Sequence, residues 1–128
     1  MVGAVFPDLD LIWFYLIDDR AFHHHKYWVH APAFVIASSA VLVAAAKFLL
    51  PKAAPLTIAF TIGWCLHVML DAPVGGTMWL WPLTDKLYVP IEVPATQSHW
   101  ILSFVLHWSF LFEVVIWLVA LGLYLQKR

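Results

Sequence analysis

A chain of 128 residues that is 63% hydrophobic and only 12% charged cannot cover a water-facing surface, since soluble domains carry about 25% charged residues. A formal net charge of −1 leaves no basic footprint for nucleic acid, and the single cysteine, Cys65, excludes an intrachain disulfide. With a mean hydropathy of +0.83, the composition predicts one integral membrane domain over residues 1–128, an all-α helical bundle.

The opening Met1–Phe6 has no basic start and no small-residue cleavage site, so it does not read as a signal peptide. Pro7-Asp8-Leu9-Asp10 then places two carboxylates just before the apolar stretch Leu11–Ile17. Seven residues make roughly 10 Å of helix, too little to cross a bilayer, so this short N-terminal helix is expected at the interface or against the bundle. His23, His24, His25 and His30 lie around the start of a first span expected at 28–50, in which Lys47 can snorkel. The breaker Pro51-Lys52-Ala53-Ala54-Pro55 separates it from a second span at 54–72, which carries His67 and Asp71. A loop at 73–100, rich in proline, glycine and aromatics, is expected to form an ordered cap, with Gly75-Gly76 as a turn. A third span at 101–125 holds His107 and Glu113 and stops at Gln126-Lys127-Arg128. Trp13, Trp28, Trp79, Trp81 and Trp100 fall near the ends of these spans, where indole rings favour the headgroup region.

The short connection makes the first two spans antiparallel. Asp8, Asp10, His23, His24, His25, His30, His67, Asp71 and His99 therefore fall on one side of the membrane. Lys47, Lys52, Lys127 and Arg128 fall on the other, against Arg20, Lys26 and Lys86, and the positive-inside rule makes that other side cytoplasmic. His107 lies well inside a span.

Ionisable groups at membrane depth are costly and tend to be paired, metal-bound or functional. His67 and Asp71, four residues apart, share one face of a helix about one turn apart, a spacing that suits two ligands to one ion. His25 and His30 straddle the start of the first span, and Asp8 and Asp10 add carboxylates of alternating direction. Imidazole with carboxylate favours zinc, with manganese, iron or nickel as other candidates. Each piece also has a plainer reading. Asp8 or Asp10 would serve as a helix N-cap, and His67 as a buried, hydrogen-bonded histidine. His23 and His24 would sit in an exposed loop, and His107 and Glu113 would bond between helices.

Phe6-Pro7-Asp8-Leu9-Asp10, His23-His24-His25-Lys26-Tyr27-Trp28-Val29-His30, His67-Val68-Met69-Leu70-Asp71 and Trp81-Pro82 resemble, in order and spacing, the bacterial YdjM-like family. His107-Trp108-Ser109-Phe110-Leu111-Phe112-Glu113 also looks like the C-terminal part of some relatives. The family is described as LexA-regulated, inner-membrane, metal-dependent hydrolases, and is thought to be related to zinc-dependent phospholipase C and P1-type nucleases. The resemblance thus implies Asp8, His30, His67 and Asp71 as metal ligands, with Asp10 and His25 as further ligands or as partners of the ligands. Relatives usually begin with another apolar helix carrying an early Thr-His, and they read Thr-His-Ser where this chain has Val29-His30-Ala31. The loss of those hydroxyls is expected to weaken a metal site, and an apolar flank where the earlier helix would pack predicts a homo-oligomer.

The function expected is a metal-dependent hydrolase of the bacterial inner membrane, acting on a phosphoester at the lipid–water interface. Asp10 would take the proton of the attacking water, and the partners would be membrane lipids and a small-molecule or lipid substrate, with no nucleic acid. The alternatives are a non-catalytic metal-binding or transport protein, with His107 as a deeper stepping stone, and a structural membrane protein without metal.

Overall fold

The computed structural model describes residues 2–126. Among the described residues the regular structure is helical: α1 (Val2–Val5), α2 (Asp10–Leu16), α3 (Pro32–Leu49), α4 (Ala54–Asp71), α5 (Trp100–Val105) and α6 (Phe110–Gln126). Single 3-10 turns lie at Pro7–Leu9, His24–Lys26, Trp28–His30 and Pro51–Ala53. No strand forms among the described residues, and Thr77 and Tyr88 make an isolated antiparallel bridge. The chain divides after Pro90 into two compact units. Lys127 and Arg128, which the charge comparison uses, lie outside the described residues.

Proline sets the boundaries of the two long apolar helices. Ala31 is extended, at φ −82° and ψ 119°, because a residue ahead of proline is pushed out of the α region. Pro32 then takes the first turn, where its missing N–H costs nothing. The first span therefore starts at Pro32 rather than at residue 28, and Trp28–His30 forms a separate turn. Leu50 ends α3 in the same way, at φ −138° and ψ 65° ahead of Pro51. The second long helix runs from the turn at Pro51 through Asp71, 21 apolar-rich residues, and is long enough to cross a bilayer.

In the first unit α3 and α4 pack together, and α1 lies across α4. Val29, Val35, Trp64 and Val68 form the buried cluster, with Phe6, Phe34 and Phe60 against it. The Trp64 indole donates to the Val29 carbonyl at 2.9 Å, which satisfies its N–H inside that cluster. The helix exteriors are apolar: Ile36 is 66% exposed, Phe48 85% and Leu56 75%. Such surfaces would aggregate in water and suit a hydrocarbon solvent.

The second unit departs from expectation. The apolar run at 101–125 is two helices, α5 and α6, broken at Leu106–Ser109. Around the break the backbone bonds shorten to three-residue steps, from His107 N to Phe104 O and from Phe110 N to His107 O. His107 Nδ1 lies 2.8 Å from Ser109 Oγ and accepts from Ser109 N, local bonds that compete with the helical ladder.

Candidate metal centre

Five short segments of the first unit bring acid and imidazole groups together. The last turn of α4 supplies His67 and Asp71, whose Nε2 and Oδ2 atoms stand 2.9 Å apart. The 3-10 turn after α1 supplies Asp8, with Oδ1 3.6 Å from the same Nε2. The turns at His24–Lys26 and Trp28–His30 add three histidines, and α2 begins at Asp10. One ligand-capable atom from each of Asp8, His30, His67 and Asp71 lies within 4.8 Å of the others, and the same holds for His24, His25 and His30. Bonds of about 2.1 Å in a tetrahedron place ligand atoms roughly 3.4 Å apart. The His67–Asp71 and His67–Asp8 separations straddle that value.

The tautomers decide what the cluster can hold. A carbonyl can only accept, so the 2.8 Å contact of His67 Nδ1 with Ala4 O fixes the proton on Nδ1. Nε2 then faces two carboxylate oxygens and is buried without a hydrogen bond. His25 repeats the arrangement: Nδ1 bonds Gly76 O at 3.0 Å, and Nε2 lies 3.7 Å from Asp71 Oδ2. Acceptors facing acceptors repel unless a proton or a metal cation lies between them. Imidazoles held through the second ring N–H by a backbone carbonyl are characteristic of metal ligands. The donor set therefore fits a divalent cation on its own geometry.

Behind these ligands sits Asp10, its side chain 8% exposed, with Oδ2 3.1 Å from His30 Nδ1 and Oδ1 3.8 Å from His24 Nδ1. Both Asp10 oxygens and both His30 ring nitrogens are buried without a hydrogen bond of good geometry. Burial pushes the Asp10 carboxyl up, but His24 and His30 outweigh it and hold the group below the usual carboxylate value. Burial, reinforced by the neighbouring His24 and His30, pushes His25 down to about 4 against the pull of Asp71 and Gly76 O. His23 is lowered too, by burial and then by His24. Neutral imidazoles are the form that binds metal.

Asp8, His30, His67 and Asp71 thus lie together, and His25 lies with His24 and His30. Asp10 stands against His24 and His30 and is not among the four groups that share the His67 locus. The N-cap alternative finds no support, since neither the turn at Pro7 nor α2 has a side-chain cap. His24 joins the cluster without having been singled out as a ligand, although the run of three histidines was its signal. His23 instead accepts from the His25 N–H at 3.3 Å. His99 and His107 belong to the second unit. Val29 and Ala31 serve packing: Val29 is in the core cluster and Ala31 is fully buried.

Set against known proteins, the chain matches the family model described as YdjM inner membrane protein over residues 1–127. No curated protein and no solved structure matches it.

Proposed function

The chain belongs to the YdjM inner membrane protein family, and on that footing we propose that it is a metal-dependent hydrolase acting on a phosphoester where the bilayer meets water. The observation that carries the reading is the buried Nε2 of His67, without a hydrogen bond and 2.9 Å from the Asp71 carboxylate, while Nδ1 is committed to Ala4 O. In the same reading α3, α4 and α6 are three spans and α2 lies at the interface. The 17 residues of α6 reach the lower limit of spanning length, about 17–25 residues.

Asp8, His30, His67 and Asp71 would hold the cation, and His24 and His25 are next to it through the shared His30. Two imidazoles with two carboxylates suit zinc, with manganese next. When bound, such a cation supplies a Lewis acid and lowers the pKa of water to near 7. The remaining work falls to the chain. Asp8 and Asp71 are the open side of the site, their side chains 41% and 32% exposed, and face the substrate. His25, His30 and Asp10 are the enclosed side, where Asp10 orients the His30 ring. Asp10 lies between two imidazoles, so its assignment here is positioning of His30 Nδ1. The proton of the attacking water passes instead to Asp8, whose second oxygen is not engaged by His67.

The test is metal content by inductively coupled plasma mass spectrometry, on protein purified in detergent without a nickel column. We expect about one equivalent of zinc or manganese per chain, lost in His67→Ala/Asp71→Ala, followed by hydrolysis of aryl phosphoesters that the same variant lacks. Equal metal in both proteins, or none in either after zinc is added, overturns the reading.

A further inference from the structure

Alongside the donor cluster, the first unit carries an open apolar groove of about 840 Å³ between α3 and α4. Phe34, Val41 and Leu42 wall it from α3, and Leu56 and Phe60 from α4. The hydroxyl-bearing residues on it are Ser38 and Thr57, and Thr57 already donates to the Ala53 carbonyl. Nothing in the lining would hold a chain of water molecules. Both helices are apolar and long enough to cross a membrane, so the medium that meets this groove is acyl chain.

One end of the groove adjoins the donor cluster: Trp64, on its wall, donates to the carbonyl of Val29, the residue before His30. Ala37, Phe6, Trp28 and Trp64 complete the lining, and the three aromatic residues precede Asp8 and His30 by two residues and His67 by three. The rings pack on one another, Phe6 edge-on to Trp64 at 4.9 Å and Trp28 to Phe34 at 4.4 Å. Aromatic rings therefore mark the boundary between a largely apolar slot and a set of groups suited to a cation and, through it, to an anion. A molecule matching both in order has a hydrocarbon tail and an anionic head.

We propose that the groove takes the acyl chain of a membrane phospholipid and presents its headgroup phosphate to the donor cluster, so that the substrate is a lipid phosphoester. The headgroup half rests on the hydrolase reading above, and the tail half stands on the groove alone. The aromatic end fixes the depth of the tail, and Asp8 and Asp71 are the open groups nearest the head.

The experiment reconstitutes the full chain in nanodiscs containing phosphatidylglycerol with a photoactivatable diazirine on one acyl chain. After irradiation, labelled peptides are mapped by mass spectrometry and metal content is measured on the same sample. Labelling should concentrate on 34–42 and 56–64 and fall roughly tenfold in Ala37→Trp, which fills the groove. Ile36→Trp, on the outer face and 66% exposed in the native chain, should leave it unchanged and shows that a bulky ring on α3 does not itself disrupt the fold. Even labelling of all apolar surfaces, including Phe48, overturns the proposal, because the lipid is then only annular. So does cross-linking of the groove walls to another protein segment, from a second copy or from α6, in place of lipid. Groove labelling in a protein that binds no metal removes the hydrolase reading and leaves the tail site standing. Metal binding without groove labelling does the reverse.

Discussion

A methyl group placed on Gly75 would lie 1.9 Å from His25 Cε1 and 2.5 Å from Nδ1, so the imidazole occupies the space a side chain would need. The next carbonyl, Gly76 O, accepts from that ring, and Gly76 takes φ +81°, where glycine is favoured. Gly75→Ala should push His25 out of register and weaken zinc binding about 10- to 100-fold, the usual cost of disturbing a ligand's support. Competition with a chelator measures this, and unchanged affinity would remove His25 from the centre. The same ring makes the metal-free protein acid-sensitive. His25 is held near 4 in the fold against an ordinary value of 6.5, so between those values the unfolded chain binds a proton that the fold refuses. Stability rises with pH across that window, and Asp10, lowered in the fold, acts in the same direction at lower pH. The melting temperature of the metal-free protein in detergent should fall on acidification from about pH 6.5 toward about 4. A level profile down to pH 5 would mean that His25 protonates freely. In the sequence, the four-residue spacing of His67 and Asp71 was enough to pair them, because a helix fixes that geometry locally. The neighbours of His25 were not legible, since its contact with Gly75 and Gly76 joins residues about fifty apart through a loop that carries no periodic signal.

At the level of elements, α1 is only four residues long, far below the length at which a helix is stable alone. Close contact holds it: a Cβ on Gly3 would lie 1.9 Å from Phe60 O, and one on Gly63 2.9 Å from Ala4 N. Two glycines thus let α1 and α4 approach backbone to backbone, as small residues do at helix contacts in membranes. The approach delivers Ala4 O to His67 Nδ1. Gly63→Leu should lift α1 away, free the His67 tautomer and lower zinc affinity roughly tenfold or more, with helical content by circular dichroism nearly unchanged. Native affinity in that variant would show that α1 has no part in orienting His67. Proline made the two long helices readable, because Pro32 and Pro51 act through local sterics that no tertiary contact overrides. The break at Leu106–Ser109 was not readable from hydropathy, which runs on through Leu106, Trp108 and Phe110. It arises from one serine and one histidine bonding to each other and to nearby backbone, an effect that an average over a window erases.

Across the whole molecule, orientation and the number of crossings are linked through few charges. Lys47 and Lys52 sit near the connection between α3 and α4, and Arg20, Lys26 and Lys86 belong to segments at the end that carries the donor cluster. If α6 crosses, Lys127 and Arg128 join Lys47 and Lys52, giving four basic residues against three, and the positive-inside rule puts the connection in the cytoplasm and the metal centre outside it. If α6 does not cross, the same two residues join the other group and the comparison becomes two against five, which reverses the orientation and turns the metal centre to the cytoplasm. Cysteine accessibility separates these cases. In a Cys65→Ala background, Lys52→Cys, Asp85→Cys and Lys127→Cys are each treated with a membrane-impermeant maleimide, in intact spheroplasts and after permeabilisation. We expect Asp85→Cys to react in intact spheroplasts, and Lys52→Cys and Lys127→Cys to react only once the membrane is opened. Lys52→Cys and Lys127→Cys on opposite sides would reduce the fold to two crossings. Both reacting from outside, with Asp85→Cys protected, would keep three crossings and invert the molecule, so that any lipid phosphoester reaching the centre would come from the cytoplasmic leaflet.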